Sequence, residues 1–218
     1  MTCLVAIAAP VGGGKSTLVR GLAAALNGAS TLHFDHYEVA TRKSPAELAR
    51  WIAEGADFNR LRAPGLRDAL QALKRGEPVT DPATGRSIVP GDHVILEMPL
   101  GREFAETAHL IDIVMWIDTP LDLALARKLG AFAEEAAADL ASDPREFLEW
   151  LGSYLRQYAE QIRVVLELQK SRVAASADVV LDGLRPRETL VHDALRAIGA
   201  IQAKRQADRA GGRPGGLA

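Results

Sequence analysis

The sequence predicts an α/β fold with a parallel sheet wound between helices, and three observations carry that prediction. Short strand-like runs, most of them apolar, recur between stretches of helical periodicity: Cys3 to Ala8, Ser30 to Asp35, His93 to Glu97, Ile111 to Asp118 and Ala177 to Asp182. The first run leads through Ala9-Pro10-Val11-Gly12-Gly13-Gly14-Lys15-Ser16-Thr17 into a helical pattern, which is the order of strand, glycine loop and helix that a polyphosphate site requires. The second and third runs close on acids, Asp35 and Glu97, at strand ends that border the ligand crevice of an open parallel sheet.

The glycine loop states its chemistry residue by residue. Gly12, Gly13 and Gly14 let consecutive backbone N–H groups turn inward around phosphate, Lys15 reaches the outer phosphates, and the Ser16 hydroxyl holds Mg²⁺, with Thr17 following it into the helix. The pattern G-x-x-x-x-G-K-[ST] places a glycine at position 9, where this chain has Ala9, and alanine fits there only at negative φ. Leu18, Leu22 and Leu26 then keep helical spacing until Asn27-Gly28 stops the helix.

The remaining elements follow in order. Asp35 ends the second strand as a candidate catalytic group or as a turn residue. Ser44-Pro45-Ala46-Glu47 reads as a capped helix start, and a second helix is expected from about Pro64 to Lys74. This insertion of about residues 40–92 suits acceptor recognition, with Asp57, Asn59 and Arg62 either binding substrate or sitting in a solvated connection. Residues 76–92 are rich in Gly, Pro and Asp, a loop with an edge strand at most, and Arg86 is its well-placed cation. Glu97 is placed to support a metal, or to end a core strand in solvent. Arg102 is a candidate phosphate or substrate contact. Thr119-Pro120-Leu121-Asp122 starts a helix that carries Arg127 and Lys128, and Arg127 is a candidate to stabilise the transferring oxygens. Residues 127–143 are expected to be a lid. A long helix from about Arg145 to Ser171 bears Arg156 and Arg163 as candidate phosphate contacts. The last helix starts near Pro186, and the tail of residues 205–218 is expected to be disordered.

Composition narrows the class. The 218 residues allow a single domain (1–204) with a lid, and 48% hydrophobic with 25% charged residues are ordinary globular values. A formal net charge of −2 gives no basic field for nucleic acid. Cys3 is the only cysteine, so neither a disulfide framework nor a thiolate zinc site is expected. No signal peptide precedes the first strand and no apolar run reaches the roughly 20 residues that span a bilayer, so the expectation is a cytoplasmic protein without a membrane partner. Homo-oligomerisation stays open.

The loop APVGGGKST, the strand end HFDHYE, the strand VILE, the segment LIDIVMWIDTPLDLALARK and the late QYAEQIRVV with ADVVLDG together resemble the uridine kinase, phosphoribulokinase and bacterial pantothenate kinase group of P-loop kinases. The resemblance implies a P-loop NTPase three-layer sandwich with sheet order 2-3-1-4-5, ATP and Mg²⁺ as cofactors, and transfer of the γ-phosphoryl group to a hydroxyl of a small molecule such as a nucleoside, sugar or vitamin precursor. It also implies that Lys15 and Ser16 hold phosphate and Mg²⁺, that Asp35 is the base, that Glu97 supports the metal, and that Arg127 and Arg163 match basic positions near the nucleotide. The Arg-Asp and Arg-Gly-Arg elements of the uridine kinase lid are missing after Lys128, and Met98 follows Glu97 where that family has Gly. The rival reading is a nucleotide-dependent ATPase or binding protein with no separate acceptor; the N-K-x-D element of guanine-reading switches is absent.

Overall fold

Five strands form one sheet in which every neighbouring pair is parallel: β1 (Cys3–Ala8), β2 (Ser30–His33), β3 (His93–Glu97), β4 (Ile113–Asp118) and β5 (Val179–Asp182). Their order in space is β2-β3-β1-β4-β5, the expected 2-3-1-4-5. This computed structural model describes residues 2–39, 44–138 and 143–211. The principal helices are α1 (Lys15–Ala25), α2 (Pro45–Ala53), α3 (Leu66–Arg75), α4 (Leu121–Ala138), α5 (Pro144–Gln157), α6 (Arg163–Gln169) and α7 (Arg187–Gly211).

Side chains alternate across a strand, so each strand feeds two cores. On one face Val5, Ile7, Ile95 and Met115 meet Leu18 and Leu22 of α1 and Ala194 and Ile198 of α7. On the other, Leu4, Ala6, Val94 and Leu96 meet Leu66, Leu70 and Leu73 of α3 together with Phe34, Trp51, Phe58 and Phe104. Leu4, Val5 and Ile7 are fully buried, each contributing about 1.5–3 kcal/mol of transfer free energy, so the strand that carries the glycine loop is among the most firmly held in the chain. Gly21 lets α1 and α7 approach: a Cβ there would lie 2.4 Å from Val191 Cγ2.

Local signals place the insertion. Ser44 Oγ accepts from the Glu47 N–H and the Glu47 carboxylate accepts from the Ser44 N–H, closing a capping box at the start of α2. Gly65, at φ 81, turns the chain into α3, which is why that helix starts at Leu66 and not at Pro64. Val79–Thr80 and Ser87–Ile88 pair as a short antiparallel ribbon where a loop with an edge strand was expected. Asp143 accepts from the Arg145 N–H with Pro144 at the first turn, and the helix so started runs through two π-helical stretches, Tyr158–Ile162 and Lys170–Ala174, that bracket α6.

Two expectations change. The last helix passes Lys204 and continues to Gly211, because Ile201 and the helix-forming run beyond it extend the pattern that Ile198 anchors; residues 212–218 lie outside the described residues. Thr119, expected as an N-cap, donates its hydroxyl to the carbonyl of Gly13 at 3.0 Å and so ties the end of β4 to the glycine loop.

Candidate functional site

The loop between β1 and α1 is built by its glycines against a neighbour. Gly12 has φ 77, and a Cβ on it would lie 2.1 Å from the carbonyl oxygen of Ala124 in α4, so loop and helix touch backbone to backbone. Gly14, at φ 96 and ψ 10, is the N-cap of α1, and no side chain caps that helix. Its first N–H groups therefore face the cavity with the positive end of the helix dipole behind them. Among non-glycine described residues only Ala56 has positive φ, so Ala9 meets the condition that its position sets.

Lys15 folds over the loop, donating to the carbonyls of Ala9 at 3.1 Å and Pro10 at 3.3 Å. Burial draws its ammonium below the usual range, opposed by the charges of Glu97 and Asp35 and aided by Lys128. Register explains the next contact: His33 and Glu97 are partners on adjacent strands, both at the carboxyl end. Glu97 accepts from Ser16 Oγ at 3.0 Å through one oxygen and meets His33 Nδ1 at 3.1 Å through the other. Burial pushes Glu97 up, but the His33 and Ser16 hydrogen bonds and the Lys15 charge outweigh it and hold the carboxyl below its ordinary value. The same hydrogen bond, against partial burial, raises His33. Ser16 Oγ and the Glu97 carboxylate are hard oxygen donors brought together beside the phosphate cradle, a set that suits Mg²⁺.

One cavity of about 1110 Å³ opens onto the loop and Glu97. Gly12, Gly13, Gly14, Lys15, Ser16, Thr17, Asp35, Glu97 and Arg127 line it. Asp35 sits in the 3-10 turn Phe34–His36 just past β2, and among the described residues its carboxylate makes no hydrogen bond. Arg127 reaches the Gly183 carbonyl at 3.5 Å, toward β5. The cavity therefore runs from the β5 edge, past the central loop, to the β2 edge.

Other candidates go elsewhere. Arg163 is exposed, pairs with Glu167 at 2.9 Å one turn on, and is not part of the cavity wall. Arg156 is exposed on α5 and is likewise outside that wall. Arg102 is drawn to the opposite end of the sheet, where it binds Asp178 at 2.7 Å and the carbonyls of Ser176 and Asp112, so it locks the amino ends of β4 and β5 and contacts no phosphate site. Asp57 caps a 3-10 turn through the Asn59 N–H, and Asn59 accepts from the Ala105 N–H, which ties the insertion to the body. Arg62 is exposed beside them and outside the cavity wall. Arg86 is exposed in the ribbon turn, away from the cavity. The part of the expected lid from Arg127 to Ala138 is the outer length of α4, and residues 139–142 lie outside the described residues.

Sequence reasoning missed His33, Lys128, Arg185 and Arg187. Lys128 lines the cavity and lies over the Phe132 ring at 4.2 Å, and Arg185 and Arg187 enter the wall at the start of α7. His33 stands in the strand end HFDHYE without a motif of its own; its place appears when parallel register sets it beside Glu97. The two arginines carry no local motif and are placed by the turn after β5.

No family model and no curated protein sequence matches the chain. Among solved structures it is similar to a protein from Bacillus stearothermophilus described as a "possible uridine kinase", at 16% identity and TM-score 0.51 over 83% of this chain and 89% of that one. A gluconokinase from Sinorhizobium meliloti 1021 matches at 13% identity and TM-score 0.50, over 94% of this chain and 97% of that one. At these identities the likeness is one of fold: the chain has the three-layer P-loop fold that these kinases share. Among the described residues no helix is long and apolar enough to cross a membrane.

Proposed function

We propose that the protein transfers the γ-phosphoryl group of ATP to a hydroxyl of a small molecule. The observation that carries this reading is the extent of the cavity. Ligand pockets run to roughly 300–1,000 Å³, and this space of about 1110 Å³ lies at the upper end and continues past the phosphate loop and beyond Asp35 toward the insertion. There is room for a second substrate beside the nucleotide, which a simple ATPase does not need.

The residues divide the work. The loop N–H groups, Lys15 and the start of α1 bind and orient phosphate, Arg127 stabilises the transferring oxygens, and Arg185 and Arg187 face the rest of the nucleotide. Ser16 and Glu97 would hold Mg²⁺, whose chemistry is to offset the charge of the transferring oxygens. His33 fixes the carboxylate of Glu97 from behind. The acceptor oxygen forms a bond to the γ-phosphorus as the bond from that phosphorus to the ADP oxygen breaks, and the hydroxyl proton passes to Asp35.

The test is Asp35→Asn, which keeps size and polarity and cannot take up the proton. ATP affinity by calorimetry should stay within about twofold, while acceptor-dependent ADP release falls by roughly 10²-fold, the low end for a general base because positioning supplies most of the acceleration. ADP release that no alcohol increases, and that the variant leaves unchanged, would return the reading to hydrolysis.

A further inference from the structure

We infer that His36, anchored by Asp81, is a positioning residue that holds His33 against Glu97 and so sets the affinity of the Ser16 and Glu97 oxygens for Mg²⁺. The inference rests on the phosphotransferase reading and adds to it two residues that lie outside the cavity wall. Local geometry brings the histidines together. His33 ends β2, and His36 closes the 3-10 turn Phe34–His36 three residues on. Side chains three apart eclipse in a 3-10 turn, and the two imidazole rings meet with centroids 5.0 Å apart at 36°.

Each ring meets a carboxylate through Nδ1: His33 with Glu97 Oε2 at 3.1 Å, and His36 with Asp81 Oδ2 at 2.7 Å. An ionised carboxylate only accepts, so both Nδ1 atoms carry the proton. The two pairs are unequally held. The Asp81 side chain is 8% exposed, and its other oxygen accepts from the N–H groups of Ala83 and Thr84 in the turn of the antiparallel ribbon. The His33 side chain is 32% exposed, so burial alone does not fix its ring, and the anchored ring of His36 packs on it. Glu97 depends on that ring. Its Oε1 accepts from Ser16 Oγ at 3.0 Å, so the His33 contact at Oε2 sets the rotation of the carboxylate. Removing the partner behind a metal-binding group typically costs about 10–100-fold in metal affinity. Contacts therefore run without a break from the buried ribbon turn to the oxygens that suit Mg²⁺.

The experiment titrates Mn²⁺, a paramagnetic stand-in for Mg²⁺, into the full chain saturated with an unreactive ATP analogue, and follows free Mn²⁺ by electron paramagnetic resonance. His36→Asn keeps an N–H donor for Asp81 near the Nδ1 position but places no ring on His33. Its melting temperature should stay near that of the wild type while Mn²⁺ affinity falls roughly three- to tenfold, less than the roughly tenfold or more expected of His33→Ala. Once His33 is gone, His36 has nothing to hold. The double variant His33→Ala with His36→Asn should therefore bind Mn²⁺ as His33→Ala does alone, a non-additivity that a residue serving only stability does not produce. Asp81→Ala, which frees His36 from its anchor, gives a second route: the same loss of affinity, abolished in the His33→Ala background. Wild-type affinity in His36→Asn, or losses that add in the double variants, overturns the inference. Unchanged affinity in Glu97→Gln removes the metal role of Glu97 and this inference with it, whereas losses in Glu97→Gln and His33→Ala with none in His36→Asn overturn this inference alone.

Discussion

Replacing Gly12 by alanine tests whether the phosphate loop is held in shape by its contact with α4. Two costs are separable. At φ 77 an alanine sits in the left-handed region, at about 1–2 kcal/mol. The new Cβ would stand 2.1 Å from the Ala124 carbonyl oxygen, 2.9 Å from its carbon and 3.3 Å from Lys128 Cβ, so backbone must move, at about 1–3 kcal/mol more. Gly14 is the internal control: its φ is 96, yet nothing lies within 4 Å of its Cβ position, so Gly14→Ala meets only the first cost. At about 2–4 °C per kcal/mol for a chain of this size, Gly12→Ala should melt about 2–12 °C below Gly14→Ala. Circular dichroism melts of the two variants without nucleotide measure it. Equal melting temperatures would refute the claim that loop and helix are pressed together.

Three further outcomes follow from single contacts. Arg127→Ala should lower turnover by about 10²-fold through lost stabilisation of transferring oxygens, whereas Arg163→Ala, which breaks only an exposed pair one helical turn apart, should stay within about twofold; equal losses would reverse the two assignments. Asp81→Ala removes a buried carboxylate that binds His36 at 2.7 Å and the N–H groups of Ala83 and Thr84, so it should cost about 2 kcal/mol, or about 4–8 °C. Burial pushes Asp81 up, but His36 and the two amides outweigh it and hold it below its ordinary 3.8, so its contribution is full above about pH 3.8 and is lost as pH falls through the folded value; a melting difference that persists undiminished at pH 2 would contradict that sign. Hydrogen exchange along α4 from Arg127 to Ala138 should slow when an ATP analogue and Mg²⁺ are added, and unchanged exchange would remove the lid reading.

How much of this was legible in the sequence depended on whether the signal was local. The three central strands showed as apolar runs because both faces are covered, whereas the edge strand β5 leaves Val180 exposed, and the capping box at Ser44 and Glu47 fixed α2 within a residue. Strand starts were less readable: Ile111 and Ala177 are apolar yet lie before β4 and β5, where Asp112 and Asp178 accept from the Leu4 and Val114 N–H groups and set where pairing begins. Arg102 misled because a lone arginine after a strand looks the same whether it faces phosphate or, as here, turns back to the amino ends of the sheet. Arg163 shows a related limit: its helix was placed correctly, but the face it presents depends on the phase of a helix interrupted by π-helical turns.

The departure at position 9 has a physical account that the motif alone does not supply. Ala9 is fully buried at the end of β1, and its carbonyl accepts from both Lys15 and Gln169, so the residue is a fixed wall behind the loop. Its methyl group lies 2.9 Å from where a Cβ on Gly13 would stand, with the Pro10 carbonyl at 2.8 Å and Pro10 Cδ at 3.0 Å beside it. The space that a side chain on residue 13 would need is taken by residues 9 and 10. Glycine at 13 is therefore required by packing, since its φ is not positive, while glycine at 12 and 14 serves positive φ. Three adjacent glycines that read as one flexible run in the sequence answer to different constraints, and the alanine that breaks the pattern supplies part of one of them.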